Sequence, residues 1–84
     1  YIYIALAEVV EEKDKKVEYF ALAIKNYALA GSYYEIEKVL ARAKELEIYY
    51  EVTEQTVALA EEFSKKERYK DAAKIYMTLA EVTR

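Results

Sequence analysis

The apolar and polar positions along this chain alternate with a helical rhythm almost from end to end. In one stretch the apolar residues step by 3, 4, 3 and 4, at Ile36, Val39, Ala43, Leu46 and Tyr50. Similar steps recur from Val52 to Phe63 and from Tyr69 to Val82. Because this spacing places side chains on one face of an α-helix, it predicts five helices, near residues 2–12, 15–30, 33–49, 53–66 and 69–83.

Signals for helix ends are few, because the chain has one glycine and no proline. Gly31 suits the left-handed position that follows the last turn of a helix. Ser32 with Glu35 predicts a capping box, in which the serine hydroxyl accepts a backbone N–H and the glutamate reaches back. Asp14 is expected to cap the second helix.

Two stretches leave an α+β alternative open. The segments at residues 1–4 and 48–53 are rich in tyrosine, isoleucine and valine, residues that favour strands. A two-stranded pair alone would be marginally stable in water. We therefore prefer a single all-α domain over residues 1–84.

An internal repeat organises the predicted helices. Shifting the chain by 36 residues brings Tyr27 onto Phe63, Tyr33 onto Tyr69 and Leu40 onto Tyr76. A period of 20–50 residues indicates stacked supersecondary units. The prediction is five antiparallel helices stacked as about two and a half helical hairpins, in either an open α-solenoid or a compact helical bundle.

The second helix is expected to be the centre of the array. It is apolar on nearly every side, and a helix of that kind is buried by several neighbours. We expect it to contact the first, third and fourth helices, with Phe20, Ile24 and Tyr27 anchoring the core.

The repeat resembles the tetratricopeptide repeat family, in which large, small and aromatic residues recur at fixed spacing. The first matching set is Phe20, Ala23, Ile24, Tyr27, Gly31, Tyr33, Ile36, Leu40 and Ala43. The second set is Thr56, Leu59, Ala60, Phe63, Glu67, Tyr69, Ala72, Tyr76 and Leu79. The unit here is 36 residues rather than 34, and Glu67 replaces the turn glycine.

The resemblance implies a peptide-binding groove between the first helices of successive hairpins. Here that groove would lie between the second and fourth helices, at Ala21, Lys25, Ala28, Leu29, Val57 and Glu61. The positions that match the family's groove are Ala21, Lys25, Glu54, Ala58 and Glu61. The family's clamp for a C-terminal carboxylate does not carry over, because Lys25 is the one cation among them.

Composition excludes several functions. Without cysteine or histidine the chain has no disulfide, thiol nucleophile, histidine base or zinc finger. We therefore expect no enzyme activity, cofactor, metal or small-molecule substrate. A net charge of −3 argues against nucleic acid as a partner. No uncharged run is long enough to span a membrane. The N-terminus lacks the basic region of a signal peptide, so we do not expect one. We expect a soluble protein for which cytoplasmic expression is plausible.

The N-terminal helix and the ten tyrosines point to contact surfaces. Because the first seven residues offer no polar side, we expect self-association there, through Tyr1, Ile2, Tyr3 and Leu6. Tyr27, Tyr69 and Tyr76 are expected at helix–helix seams. The tyrosines that fit the repeat less well are candidates for an interface, at Tyr1, Tyr3, Tyr19, Tyr34 and Tyr49.

The sequence supports two functional hypotheses. The narrow residue alphabet and the consistent helix signals favour a non-catalytic structural scaffold, a designed helical-repeat protein without a natural ligand. The alternative is a module that binds a protein or peptide, either in the groove of the second and fourth helices or on the apolar first helix.

Overall fold

The computed structural model of the chain describes the backbone of residues 2–82 and the side chains of residues 3–82. Five α-helices succeed one another: α1 Ile2–Val9, α2 Lys13–Leu29, α3 Tyr33–Glu45, α4 Tyr49–Lys65 and α5 Tyr69–Val82. The described residues contain no strand. The all-α prediction is confirmed, and the α+β alternative is wrong for residues 2–4 and 48–53, which lie in helices or a turn.

At two junctions between helices, the helix ends differ from the predicted ones by two to four residues. Helix α1 ends at Val9 and α2 begins at Lys13, so Asp14 lies in the first turn of α2 and Glu12 takes the N-cap position. Asp14 is therefore not the cap, although its charge near the helix N-terminus is favourable. Helix α3 ends at Glu45 and α4 begins at Tyr49. The predicted third helix ran through this turn because its apolar spacing continues across it.

The start of α3 is where it was predicted, but the capping box does not form. Ser32 is the N-cap residue, and its side chain makes no capping hydrogen bond. Its carbonyl oxygen accepts the backbone N–H of Glu35 at 3.1 Å. The Glu35 carboxylate accepts a hydrogen bond from Lys38 at 3.4 Å instead of reaching back.

Three turns between helices have the same backbone structure. At the end of α2 the N–H of Ser32 donates to the Tyr27 carbonyl at 2.8 Å and the N–H of Gly31 donates to the Ala28 carbonyl at 3.1 Å, which is a Schellman motif. The same pair of bonds closes α3 and α4. The residue in the left-handed position is Gly31 (φ 76°), Glu47 (φ 61°) or Glu67 (φ 62°). The prediction for Gly31 is confirmed.

The helices pack in two rows. Helices α2 and α4 pack on each other in one row, and α3 and α5 pack on each other in the second, which α1 extends. Between the rows, α2 packs on α1 and α3, and α4 packs on α3 and α5. Helix α2 therefore contacts α1, α3 and α4, as predicted. The described chain measures 36 × 25 × 18 Å.

The core runs along the boundary between the two rows. Its largest fully buried side chains come from four helices: Phe20, Ile24, Ile36, Leu40, Val52, Thr56 and Ile75. Thr56 satisfies its hydroxyl by donating to the Val52 carbonyl at 2.8 Å. Phe20 and Ile24 are anchors as predicted, whereas Tyr27 is half-buried at the edge of the core.

Two of the three tyrosines expected at seams lie elsewhere. Tyr69 and Tyr76 are 63% and 42% exposed, because the outward side of α5 has no further helix against it in the described chain. Tyr19 and Tyr49, expected on an interface, pack partly against the core. Tyr34 is 68% exposed, with the Lys38 ammonium 4.8 Å from the centre of its ring.

Substitutions on α2 test the assignment of the core. Ile24→Ala removes a side chain that is 1% exposed, so the free energy of unfolding should fall by about 2–5 kcal/mol. Leu29→Ala on the same helix removes a side chain that is 49% exposed and should cost well under half as much. Urea unfolding followed by circular dichroism measures both. Equal losses for the two variants would contradict the assignment.

Substitutions at two of the left-handed turn positions should change the free energy of unfolding in opposite directions. Glu67→Gly removes the steric cost of a side chain at positive φ, about 1–2 kcal/mol, and adds backbone freedom to the unfolded chain. We expect a net gain of about 0.5–1 kcal/mol in unfolding free energy. Gly31→Ala should lose about 1 kcal/mol through φ alone, because no atom lies within 4 Å of the added Cβ. Thermal unfolding measures both variants. A loss of stability in Glu67→Gly together with a gain in Gly31→Ala would contradict the prediction.

Candidate partner-binding groove

Helices α2 and α4 run in the same direction and leave an open groove between them on the outer side of their row. The groove has a volume of about 590 Å³. On α2 it is lined by Asp14, Val17, Glu18, Ala21, Leu22 and Lys25, and on α4 by Glu51, Glu54, Gln55, Ala58, Leu59 and Glu62. These residues span about 17 Å of each helix at 1.5 Å per residue.

The groove combines an apolar floor with acidic walls. The apolar lining comes from both helices: Val17, Ala21, Leu22, Ala58 and Leu59. Five carboxylates surround it, against one cation, Lys25. Three of these carboxylates have no ion-pair partner within residues 2–82: Asp14, Glu18 and Glu54. The groove therefore presents negative charge beside an apolar surface, a combination that suits a basic amphipathic segment.

The two other carboxylates of the lining form ion pairs with neighbouring lysines. Lys13 forms an ion pair with Glu51 near the N-terminal ends of α2 and α4, and the hydrogen bond from Lys13 lowers the pKa of Glu51. Near the other end Lys66 donates to Glu62 at 3.2 Å, which lowers the Glu62 pKa, with a further contribution from the charge of Lys25. Both carboxylates therefore stay ionised at neutral pH.

The structure places the six predicted groove residues in different surroundings. Ala21 and Lys25 line the groove. Ala28 is 1% exposed and lies in the core, so it cannot contact a ligand in the groove. Leu29 is exposed beyond the lining, while Val57 packs partly against the core and Glu61 faces solvent outside the lining.

A one-residue offset explains the misplacement on α4. Val57 and Glu61 equal Ala21 and Lys25 shifted by 36 residues, which selects the same side of both helices. Glu54 and Ala58, which the family resemblance also predicts, do line the groove. The two walls of a groove face each other, so the lining of α4 equals the lining of α2 shifted by 37 residues at all six positions. One residue rotates a side chain by about 100° around the helix. The sequence signal that could have located these walls is a pair of acidic residues at helical spacing on each helix. The pairs are Asp14 with Glu18 on α2 and Glu51 with Glu54 on α4.

The residues expected to mediate self-association are only partly on the surface. Tyr1 and the side chain of Ile2 lie outside the described residues. Tyr3 is half-buried and stacks on Tyr19, with ring centres 6.3 Å apart and planes 20° from parallel. Leu6 is 39% exposed, and Val9, which was not predicted, is 75% exposed.

A polar network joins α3 to α5 on the side away from the groove. The Tyr33 hydroxyl donates to Oδ1 of Asp71 at 2.7 Å, and Arg68 Nε donates to Oδ2 at 2.9 Å. The Arg68 guanidinium also lies 4.6 Å from the centre of the Phe63 ring. Burial, then the bond to Asp71, raises the pKa of Tyr33 to about 12, and the same bond lowers the pKa of Asp71. This network is structural, since it fastens the last hairpin to the one before it.

Comparisons of the chain with protein-family models, with curated proteins and with solved structures found no match. The resemblance to tetratricopeptide repeats therefore stays a prediction. Among residues 2–82 no helix is long and apolar enough to cross a membrane. Over the same range no group of three or more His, Cys, Asp or Glu side chains is arranged to hold a metal ion.

The raised pKa of Tyr33 predicts how stability changes in alkali. In the unfolded chain this phenol titrates near 10, whereas in the folded chain its pKa is about 12. The stabilisation is complete below the lower value and is lost as pH rises from one value to the other, because the unfolded chain releases the proton first. Unfolding free energy should therefore fall less steeply with pH in Tyr33→Phe than in the parent. Equal slopes in the two proteins would contradict the prediction.

Proposed function

We propose that this chain is a non-catalytic helical-repeat scaffold that binds a basic, amphipathic peptide segment in the groove between α2 and α4. The observation that supports the proposal is the lining of that groove, in which unpaired carboxylates from two helices flank a continuous apolar floor. Neither feature requires a catalytic group, a cofactor or a metal.

The charges define the occupant. Glu18 on α2 and Glu54 on α4 are exposed and line the groove, one on each wall. A ligand with Lys or Arg on both sides of an apolar stripe would pair with these carboxylates while its apolar side chains cover the floor. An acidic or purely apolar segment would leave them uncompensated. Lys25, at the C-terminal end of α2, suits an acidic residue at the matching end of the ligand.

The dimensions suit a short helix. The lined part of each helix is about 17 Å long, which corresponds to about 11–12 residues of α-helix. Ala21 and Ala58, one on each wall, are small enough to let the backbone of a ligand helix approach closely. Packing of an amphipathic helix into an apolar groove is a common mode of peptide recognition.

A peptide titration tests the proposal. The probe is a labelled synthetic peptide of about 12 residues, with lysines flanking a stripe of leucines at helical spacing, and fluorescence anisotropy measures its binding. Glu18→Gln with Glu54→Gln keeps the side-chain shape and removes two charges. If each of the two lost pairs contributes about 0.2–1 kcal/mol, affinity should fall by about two- to thirtyfold.

Matched controls separate the groove from general charge attraction. Glu37→Gln with Glu61→Gln removes the same charge from α3 and α4 outside the groove and should leave affinity nearly unchanged. A peptide of the same pattern with glutamates in place of lysines should not bind. Equal losses in both double variants, or equal binding of both peptides, would contradict the proposal.

The second candidate is a scaffold of designed origin that has no ligand. It is favoured by the lysines that already neutralise Glu51 and Glu62 within the chain, which reduce the charge available to a partner. In that case binding of the basic peptide would not reach saturation, and substitutions in the groove would change neither the binding signal nor the stability. The same titration therefore distinguishes the two candidates.

A further inference from the structure

The outward face of α5 carries a group of exposed apolar side chains. Tyr69, Tyr76 and Met77 are 63%, 42% and 67% exposed, and Ala73 lies exposed between them. Their spacing along the helix places them in one stripe. Other large exposed apolar side chains are more scattered, as on α1, where Leu6 and Val9 are exposed.

The internal repeat shows what kind of surface this stripe is. The 36-residue shift places Tyr76 where α3 has Leu40, and Tyr69 where α3 has Tyr33. In α3 these positions belong to the side that packs on later helices: Leu40 is fully buried and Tyr33 bonds to Asp71 of α5. Tyr69 and Tyr76 therefore repeat positions that in α3 pack against another helix, whereas Met77 falls on the exposed Ala41.

The charges beside the stripe identify a helix that would complement it. Lys70 and Glu81 are exposed, and neither has an ion-pair partner within residues 2–82. They are 11 residues apart, which is about three helical turns, so they lie on the same flank, about 16 Å from each other. A second α5 running antiparallel would place its Glu81 opposite Lys70 and its Lys70 opposite Glu81. A parallel α5 would place these flanks on opposite sides of the pair, so neither charge would have a partner across it.

We propose that two copies of this chain associate through the outward faces of α5, with the two helices antiparallel. The small side chain of Ala73 at the middle of the stripe lets the helices approach closely, and Tyr76 and Met77 of each copy cover those of the other. The arrangement is a two-fold interface, the commonest form of homodimer. A single helix pair buries little surface, so the dimer is weak and concentration-dependent. This association does not depend on ligand binding in the groove.

Sedimentation equilibrium of the full chain over a range of concentrations tests the proposal. The parent should show a reversible monomer–dimer equilibrium. Met77→Glu places a charge within the stripe and should raise the dimer dissociation constant at least tenfold, about 1.4 kcal/mol. Thermal unfolding at low concentration shows whether this exposed substitution leaves the monomer folded. Leu6→Glu, the matched change on α1, should leave the equilibrium unchanged.

Charge exchange tests the antiparallel orientation. Lys70→Glu places two glutamates opposite each other at both ends of the pair and should weaken the dimer. Adding Glu81→Lys to it restores opposite charges across the pair and should recover the parental dissociation constant. A parent that stays monomeric, a dimer lost in Leu6→Glu but kept in Met77→Glu, or a double exchange that fails to recover association would each overturn the proposal.

Discussion

Burial of α2 among three other helices is the interaction on which the rest of this structure depends. Phe20 and Ile24 lie in the core with almost no exposed surface, and α2 packs on α1, α3 and α4. Apolar surface removed from water in this way is the main source of stability in a domain of this size. It also determines the position of the groove, because the part of α2 that no helix covers, including Ala21 and Leu22, becomes one wall of it.

The turns show how far the sequence determines this arrangement. Gly31 could be predicted as a left-handed position, because glycine adopts positive φ at little cost. Glu47 and Glu67 carry no such signal, although the repeat places Glu67 at the position equivalent to Gly31. Each is held at positive φ by the contacts of the next residue in the chain: Ile48 is buried in the core, and Arg68 lies on the Phe63 ring and bonds to Asp71. Tertiary contacts of this kind cannot be derived from local propensity.

The groove separates what periodicity can and cannot predict. Helix number, the all-α class and the central position of α2 can be derived from apolar spacing, because spacing determines which face of a helix is buried. The walls of the groove depend in addition on how each helix is rotated about its axis. That rotation is set by packing, and an error of one residue moves a side chain by about 100°. On α4, Glu54 and Ala58 line the groove as the family resemblance predicts, whereas Val57 and Glu61 lie outside the lining.

The helices at the two ends of the array, α1 and α5, differ in how far their apolar faces are covered. Stacked hairpins bury each helix against the next unit, so a limited number of units always leaves a face that its neighbours in the chain do not cover. At α1 the exposure is reduced, because Tyr3 stacks on Tyr19 and Arg42 bonds to Glu8 at 2.9 Å. At α5 it is not, and Tyr69 and Tyr76 keep the apolar character that their repeat positions, Tyr33 and Leu40, have inside the array. The repeat that stabilises the interior thus also produces a surface suited to another helix.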